Sequence, residues 1–541
     1  MSVPIKLAIL WHQHQPYYRS DGIVRLPWVR LHATKDYLEM AEHLARVPAM
    51  HATINLVPSL VAQVEEYAHG ATDPLLTASR APTDRLTDDE RALVMRQCFH
   101  ANYQRMIMRS ARYTELRERT TFTTQDLRDL IVHFHLAWTG EYARGGEPFA
   151  SLIAKDRDYT EADKTALLDA HTKILQTFDV AHMRLAAGAN IELSTTPYYH
   201  PILPLICDTN SAHEAMPGLR LPDVRCSWPE DAREHVTRSI AFHEHQFGLV
   251  ARGMWPAEGS ISDAALALMA DEGIVWAASD ETVLDHSLGE YDRPYGRFEH
   301  YFPRMVRSAH GSIVVFFRDH WLSDKVGFDY HTWHVTDAVN DFVNHIRQVR
   351  QEILREYGED VLRTACVSVI LDGENCWEHY ERNGFDFVSG LYRALVDDPD
   401  IEPVTMSEAV ENIGKANIRP IEHIVAGSWI GGNFKIWIGH PEKNTAWEYL
   451  AAAREVLAAA DRASANYPQA RTALLQAEGS DWFWWFGDDH YAEDRGLFDE
   501  LFRMHLGQMY DALGVERPDV LSRPIIDEPR SSPFSSMHRA E

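Results

Sequence analysis

Short apolar runs that end abruptly in polar or acidic residues recur along this chain, and that recurrence limits the fold more than any single motif. Residues 6–11, 52–57, 191–195, 247–251, 273–278, 312–317 and 365–371 each suit one buried strand and are too short for a helix. Between them lie segments of helical period, among them 31–46, 60–67, 230–247 and 337–357. Such strand–helix alternation predicts a parallel α/β architecture of about seven strands. In these folds catalytic side chains stand at the strand carboxyl ends. Here those ends carry His12, His14, Glu192, Glu258, Asp280, Asp319, His320 and Asp372.

The rhythm breaks twice. Residues 84–187 are rich in helix formers and read as a largely helical insertion lying over one end of a barrel that spans residues 1–388. From residue 389 to 522 the pattern is mostly helical, which predicts a C-terminal helical domain, and residues 523–541 read as a loose tail. The formal charge of −28 argues against nucleic acid or an anionic membrane surface as partner, since both demand basic patches. No apolar run reaches the length of a membrane span, about 18 residues. Five scattered cysteines, without paired metal spacing, read as free thiols of a reducing compartment. The apolar start of the chain reads as a first strand and not as a signal peptide, so the expected location is cytoplasmic. Oligomeric state is not readable.

Cleaving or transferring a glycosidic bond takes two carboxyl groups. One attacks or stabilises the anomeric carbon; the other protonates the departing oxygen. Glu258 and Asp372 both follow expected strands, so a barrel brings them to one face although they are far apart in the chain. Glu374 competes with Asp372 for its role. Trp255 offers a ring for a sugar to pack on, and His12, His14, Glu192 and His200 offer hydrogen bonds to sugar hydroxyls. Each has a plainer account: Glu258 as a partner of a helix dipole, the histidines as buried structural groups, Glu192 as an ion-pair partner, Asp372-Gly373 as a turn. The run Trp482 to Phe486 suits either a core or a sugar platform.

Four motifs stand in an order that resembles glycoside hydrolase family 57. They are His14-Gln15-Pro16-Tyr17, the stretch from Gly188 to Thr195 containing Glu192, Trp255-Pro256-Ala257-Glu258, and Asp372-Gly373-Glu374-Asn375-Cys376-Trp377. The resemblance is to the α-amylase, amylopullulanase and 4-α-glucanotransferase group and covers about residues 5–510. It implies an incomplete (β/α)7 TIM-like barrel with a helical bundle against its active-site face. It implies Glu258 as nucleophile and Asp372 as general acid/base of a retaining reaction, with His12 and His14 on the sugar and Glu192 supporting them. Trp255 and Trp377 would line the cleft, and a fifth motif would fall at Glu478-Gly479-Ser480-Asp481-Trp482. No metal or other cofactor is implied. The expected substrate is an α-glucan or maltooligosaccharide, hydrolysed at α-1,4 and, as a further activity, α-1,6 bonds. Transglycosylation on the same scaffold is the alternative.

Acid/base chemistry adds a requirement: Asp372 needs a raised pKa to be protonated, whereas Glu258 must stay ionised. Two readings of another class remain. A metal-dependent polysaccharide deacetylase would use His12, His14, Asp319 and His320 as ligands; a non-catalytic glucan-binding protein would need neither carboxylate.

Overall fold

The computed structural model describes residues 3–526 apart from 189, 290–291 and 491–493. Seven parallel strands form the barrel: β1 (Ile5–Gln13), β2 (Ala52–Leu56), β3 (Ile191–Thr195), β4 (Gly253–Met254), β5 (Trp276–Asp280), β6 (Ser312–Arg318) and β7 (Cys366–Asp372). Neighbours run β7-β1-β2-β3-β4-β5-β6. Between β6 and β7, Asp319 N–H donates to Ser368 O (2.8 Å), with no ladder among the described residues, so the barrel is incompletely closed.

Side chains alternate along each strand. In β1, Ile5, Leu7, Ile9 and Trp11 face the surrounding helices, while Ala8 and Leu10 fill the interior with Trp276, Ala278, Val314, Phe316 and Ile370. The same parity carried to the carboxyl ends puts His12, Asn55, Asp280, Arg318 and Asp372 in the uppermost inward layer, with His12 in register with both Asn55 and Asp372.

One expected strand is absent. The helix Pro229–Phe247 consumes the start of residues 247–251, and Gly248 ends it in the left-handed region at φ 68°. Leu249 and Val250 then stand in water, and β4 is reduced to Gly253 and Met254. Gly253 is obligatory there, because a Cβ would lie 1.8 Å from the Trp276 ring. A further strand, β8 (Ile401–Val404), lies where the sequence suggests only helices; it pairs with the amino-terminal half of β1. The helix Met406–Ile413 follows it and closes the barrel floor with Met406, Ala409, Val410 and Ile413.

The insertion supplies helices including Asp88–Gln97, Thr124–Ala137 and Glu161–Gln176, each opened by a threonine capping box. The carboxyl-terminal helices Pro441–Ala459, Tyr467–Ala477, Ser480–Trp485 and Arg495–Leu513 pack together as a bundle. Of the expected tail, residues 527–541 lie outside the described residues; Ile525 and Ile526, before them, pack against the core. No helix among the described residues is long and apolar enough to cross a membrane.

Candidate active site

Glu258 sits on a tight turn, Ala257–Gly259, in a left-handed conformation (φ 58°, ψ 25°). A non-glycine residue there costs about 1–2 kcal/mol, so the surroundings must hold it. They do so from three sides. Trp429 N–H donates to Glu258 O (3.0 Å), Ile261 and Gly427 exchange backbone bonds, and Ser279 Oγ donates to Gly259 O (2.6 Å). Gly259 is also left-handed, and a Cβ on it would lie 2.7 Å from the Trp255 ring. The helix that follows is capped by Ser262, so Glu258 is no dipole partner. Its carboxylate instead accepts from the Trp429 indole N–H at 2.7 Å.

Asp372 ends β7. Gly373 N–H donates to His12 O (2.6 Å), and Trp377 Nε1 donates to Gly373 O (2.9 Å), which pins the turn. Asn375 Nδ2 donates to Asp372 Oδ2 at 2.7 Å. Burial raises the Asp372 carboxyl above its ordinary range, against Asn375, His14 and Arg318, which pull it down. Glu258 is pushed up to about 8, first by burial and then by the negative charge of Asp372, with Trp429 opposing. The sequence requirement of an ionised Glu258 beside a protonated Asp372 is therefore not how the resting pair stands: both carboxyls are raised. Glu374 is buried and raised well above its normal range, with one oxygen accepting from His14 N–H (3.3 Å).

Three histidines stack beside the pair. His14 lies 3.8 Å from His200, face to face, and His12 lies 5.3 Å from His200. Hydrogen-bond roles can be read along the chain of contacts. Asn55 Nδ2 donates to Thr195 O (2.7 Å), so its Oδ1 faces His12 and accepts from Nδ1–H (2.7 Å). With His12 neutral, its Nε2 accepts from His200 Nε2–H (3.3 Å), and His200 Nδ1 accepts from the Ser480 hydroxyl (2.9 Å). Burial keeps both rings neutral, lowering His12 to about 3 and His200 well below its usual value. His14 Nε2 meets Asp481 Oδ1 at 2.8 Å.

His12, His14, His200, Glu258, Asp372 and Asp481 are thus one neighbourhood, though His12 and His200 spend both ring nitrogens inside the protein. Glu192 does not join them. It is the second residue of β3, near the barrel floor, and accepts from Trp276 Nε1 (2.8 Å), Ser407 N (2.8 Å) and Ser407 Oγ (2.6 Å). Trp255, Trp377 and Trp482 are at most 1% exposed and present no ring to a cleft. Trp255 packs edge-on to Trp429 (5.2 Å), Trp377 packs on Trp11 (5.6 Å), and Trp482 Nε1 donates to Gln476 O. Sequence reasoning missed Trp429 altogether, and missed Asn55 and Arg318, whose inward parity was the available signal. Arg318 is held by Asp280 (2.6 Å) and lies 4.9 Å from the Trp429 ring centroid.

The described group with metal-ligand spacing is His14, His200 and Asp481, one ligand atom each within 4.8 Å of the others. Its geometry suits a metal poorly. His200 Nε2 is engaged with His12, and two imidazoles stacked at 16° aim their lone pairs in parallel instead of at one point. The ligand set of a deacetylase is not assembled: Asp319 is taken by Tyr301 (2.8 Å) and His345 (3.1 Å), and His320 by Asp280 (3.0 Å) and Asp324 (3.1 Å).

Comparison with known proteins bears on the fold and the family. The fold is similar to that of a GH57 branching enzyme from Thermococcus kodakaraensis, with a TM-score of 0.62 at 15% identity over 94% of this chain and 90% of that one. It is similar to the α-amylase AmyC from Thermotoga maritima, with a TM-score of 0.59 at 14% identity over 96% and 95%. A GH57-type branching enzyme from Pyrococcus horikoshii gives 0.57 at 15% identity over 98% of both chains. No curated protein sequence matches. The sequence profile of Glycosyl hydrolase family 57 matches residues 8–425, and the chain belongs to that family.

Proposed function

We propose that this enzyme is a retaining α-glucan hydrolase in which Glu258 is the nucleophile and Asp372 the general acid/base. The observation that carries the reading is the pair itself: two carboxyl groups at the carboxyl-terminal end of the barrel, both raised, Glu258 in part by the charge of Asp372, and Glu258 gripped by an indole N–H. Bond breaking needs one proton on the pair. Coulomb coupling favours that count, because ionising either group makes the other harder to ionise. The Trp429 N–H stabilises the ionised form of Glu258 that attack requires, against burial and the charge of Asp372; the proposed reaction proceeds from the form of the pair whose proton is on Asp372.

Asp372 then gives its proton to the departing glycosidic oxygen while a Glu258 oxygen bonds to the anomeric carbon. Asp372 next takes a proton from water, whose oxygen displaces Glu258 and restores the original configuration. Asp481 and His14, each 11% exposed, are placed to hold sugar hydroxyls. The neutral substrate suits the acidic surface, and solved branching and amylase enzymes of similar fold support an α-glucan with α-1,4 bonds.

Glu258→Gln should abolish turnover while leaving fold and glucan binding intact; unchanged turnover would reject the nucleophile role. Products from maltoheptaose decide the second half of the reading. Shorter sugars alone indicate water as acceptor, whereas longer ones mean that a sugar hydroxyl intercepts the intermediate and the enzyme is a transglycosylase.

A further inference from the structure

Among the described residues, the most exposed aromatic side chains fall in one district. They are Tyr103, Trp321, Phe328 and Trp333, at 46, 46, 55 and 40%. Three of them stand on residues 321–333, directly after β6. The fourth opens the turn Tyr103–Ile107 of the helical insertion, which is tied to the same place: Arg105 donates to His379 O (3.1 Å) and to His331 O (3.4 Å). This stretch inverts the usual partition of apolar groups. Its aliphatic residues Leu322 and Val326 are buried (0 and 1% exposed), as is Tyr330, while Trp321, Phe328 and Trp333 stay in water. Single exposed apolar side chains need no explanation, but a cluster of them marks a binding surface.

The rings are also held in place. Trp321 rests on the His345 imidazole (4.6 Å, 28°). The Lys325 ammonium lies 5.2 Å from the Trp321 ring centroid and 5.0 Å from that of Trp333, and is itself braced by Asp329 at 3.0 Å. Trp333 packs edge-on to Tyr330. Ordering exposed rings before a ligand arrives lowers the entropy lost on binding.

The chemistry identifies the occupant. With Leu322 and Val326 turned inward, the accessible surface of this stretch consists of rings and polar groups. Rings interleaved with an ammonium, a carboxylate and imidazoles match a neutral chain that presents C–H faces and hydroxyls alternately. The stretch begins where Arg318 backs Trp429, which holds Glu258, so it lies on the active-site end of the barrel.

We propose that Trp321, Phe328 and Trp333, with Tyr103 across from them, form a non-catalytic platform that binds the continuing chain of an α-glucan polymer outside the cleft. The proposal rests on the α-glucan reading above, and its test is independent of turnover. Affinity electrophoresis in amylopectin, on the Glu258→Gln chain, compares the parent with Trp321→Ala/Trp333→Ala. The double variant should bind at least tenfold more weakly, and Trp321→Phe/Trp333→Phe, which keeps the rings, should stay within threefold of the parent. In the active chain the alanine pair should leave kcat/KM on maltoheptaose within twofold. The single variants carry the same test should the double one fail to fold. Undiminished amylopectin binding by a folded alanine variant overturns the platform. So does unchanged binding accompanied by lost self-association in sedimentation velocity, which would make a second copy of the chain the occupant. Weakened binding supports the platform whether or not Glu258→Gln turns over maltoheptaose, which separately tests the catalytic assignment.

Discussion

Trp429 grips Glu258 twice, through its backbone N–H to the Glu258 carbonyl (3.0 Å) and through its indole N–H to the carboxylate (2.7 Å). One residue therefore holds both the strained backbone of Glu258, the proposed nucleophile, and its carboxylate. A hydrogen bond to a charged group contributes about 1.5–3 kcal/mol. Trp429→Phe keeps the ring against Trp255 and Arg318 but deletes the side-chain donor. Turnover should fall roughly 10–100-fold, that energy converted to rate. Since the lost donor stabilised the ionised form, the alkaline limb of the pH–rate profile should move upward. Steady-state kinetics across pH tests this; an unchanged kcat would show that the indole only packs.

The proton on the pair sets where activity ends. With Glu258 pushed up to about 8, activity should decline above pH 8, well beyond the range of an ordinary carboxylate. Folding stability follows the same group with a definite sign. A carboxyl raised in the folded state favours folding fully below its unfolded pKa of about 4.5, and that contribution is lost as pH rises through 8. Glu258→Gln should therefore raise the Tm relative to the parent at pH 9 and change it little at pH 4.5. A gain on the order of 1–3 kcal/mol is expected, reduced from the full shift because the carboxylate partly faces the cleft.

Asp372→Ala removes the proposed acid but not the proposed nucleophile. Hydrolysis of maltoheptaose should drop by three orders of magnitude or more, roughly the loss of proton transfer to a poor leaving group. Activated aryl α-maltosides, which leave unaided, should keep much more of their rate, and added azide should accelerate them. Equal losses on both substrates would move the acid role elsewhere, with buried Glu374 the first residue to examine.

Acid should unfold the protein through its histidines. His12, His43, His171 and His235 are lowered to about 3, and His182 and His505 to about 4, each by burial. A histidine lowered in the folded state contributes stability above its unfolded pKa of about 6.5, and that stability is lost as pH falls toward the folded value. The Tm should decrease between pH 6.5 and 4, with proton uptake on unfolding measurable by calorimetry in buffers of different ionisation enthalpy. A flat Tm over that interval would contradict the neutral, buried state of these rings.

Glu192 separates a structural role from a functional one. Its two oxygens collect Trp276, Ser407 and Thr53 at the barrel floor. Glu192→Ala should cost roughly 2–4 kcal/mol by orphaning those donors, while specific activity per folded molecule stays near the parent value. Chemical denaturation and active-site-normalised kinetics read the two effects separately.

Sequence by itself determined the parts that depend on local pattern. Short apolar runs and flanking helical period set β1, β2, β3, β5, β6 and β7 within a few residues, and the strand carboxyl ends led to Glu258 and Asp372. The expectation failed at residues 247–251, where an apolar run preceded by a long helix and split by Gly248 had nothing local to mark it as exposed. Tertiary structure decided what distance in the chain conceals. It brought Trp429 to Glu258, Ser480 to His200 and Asp481 to His14. It sent Glu192 to the opposite end of the barrel because the residue begins its strand instead of ending it. It also buried Trp255, Trp377 and Trp482, since a ring next to a carboxylate in sequence need not face the same space. The physical reason is common to all of these. Strand parity and length choose which end and which face a side chain occupies, but only the packing of remote segments determines its neighbours and therefore its charge.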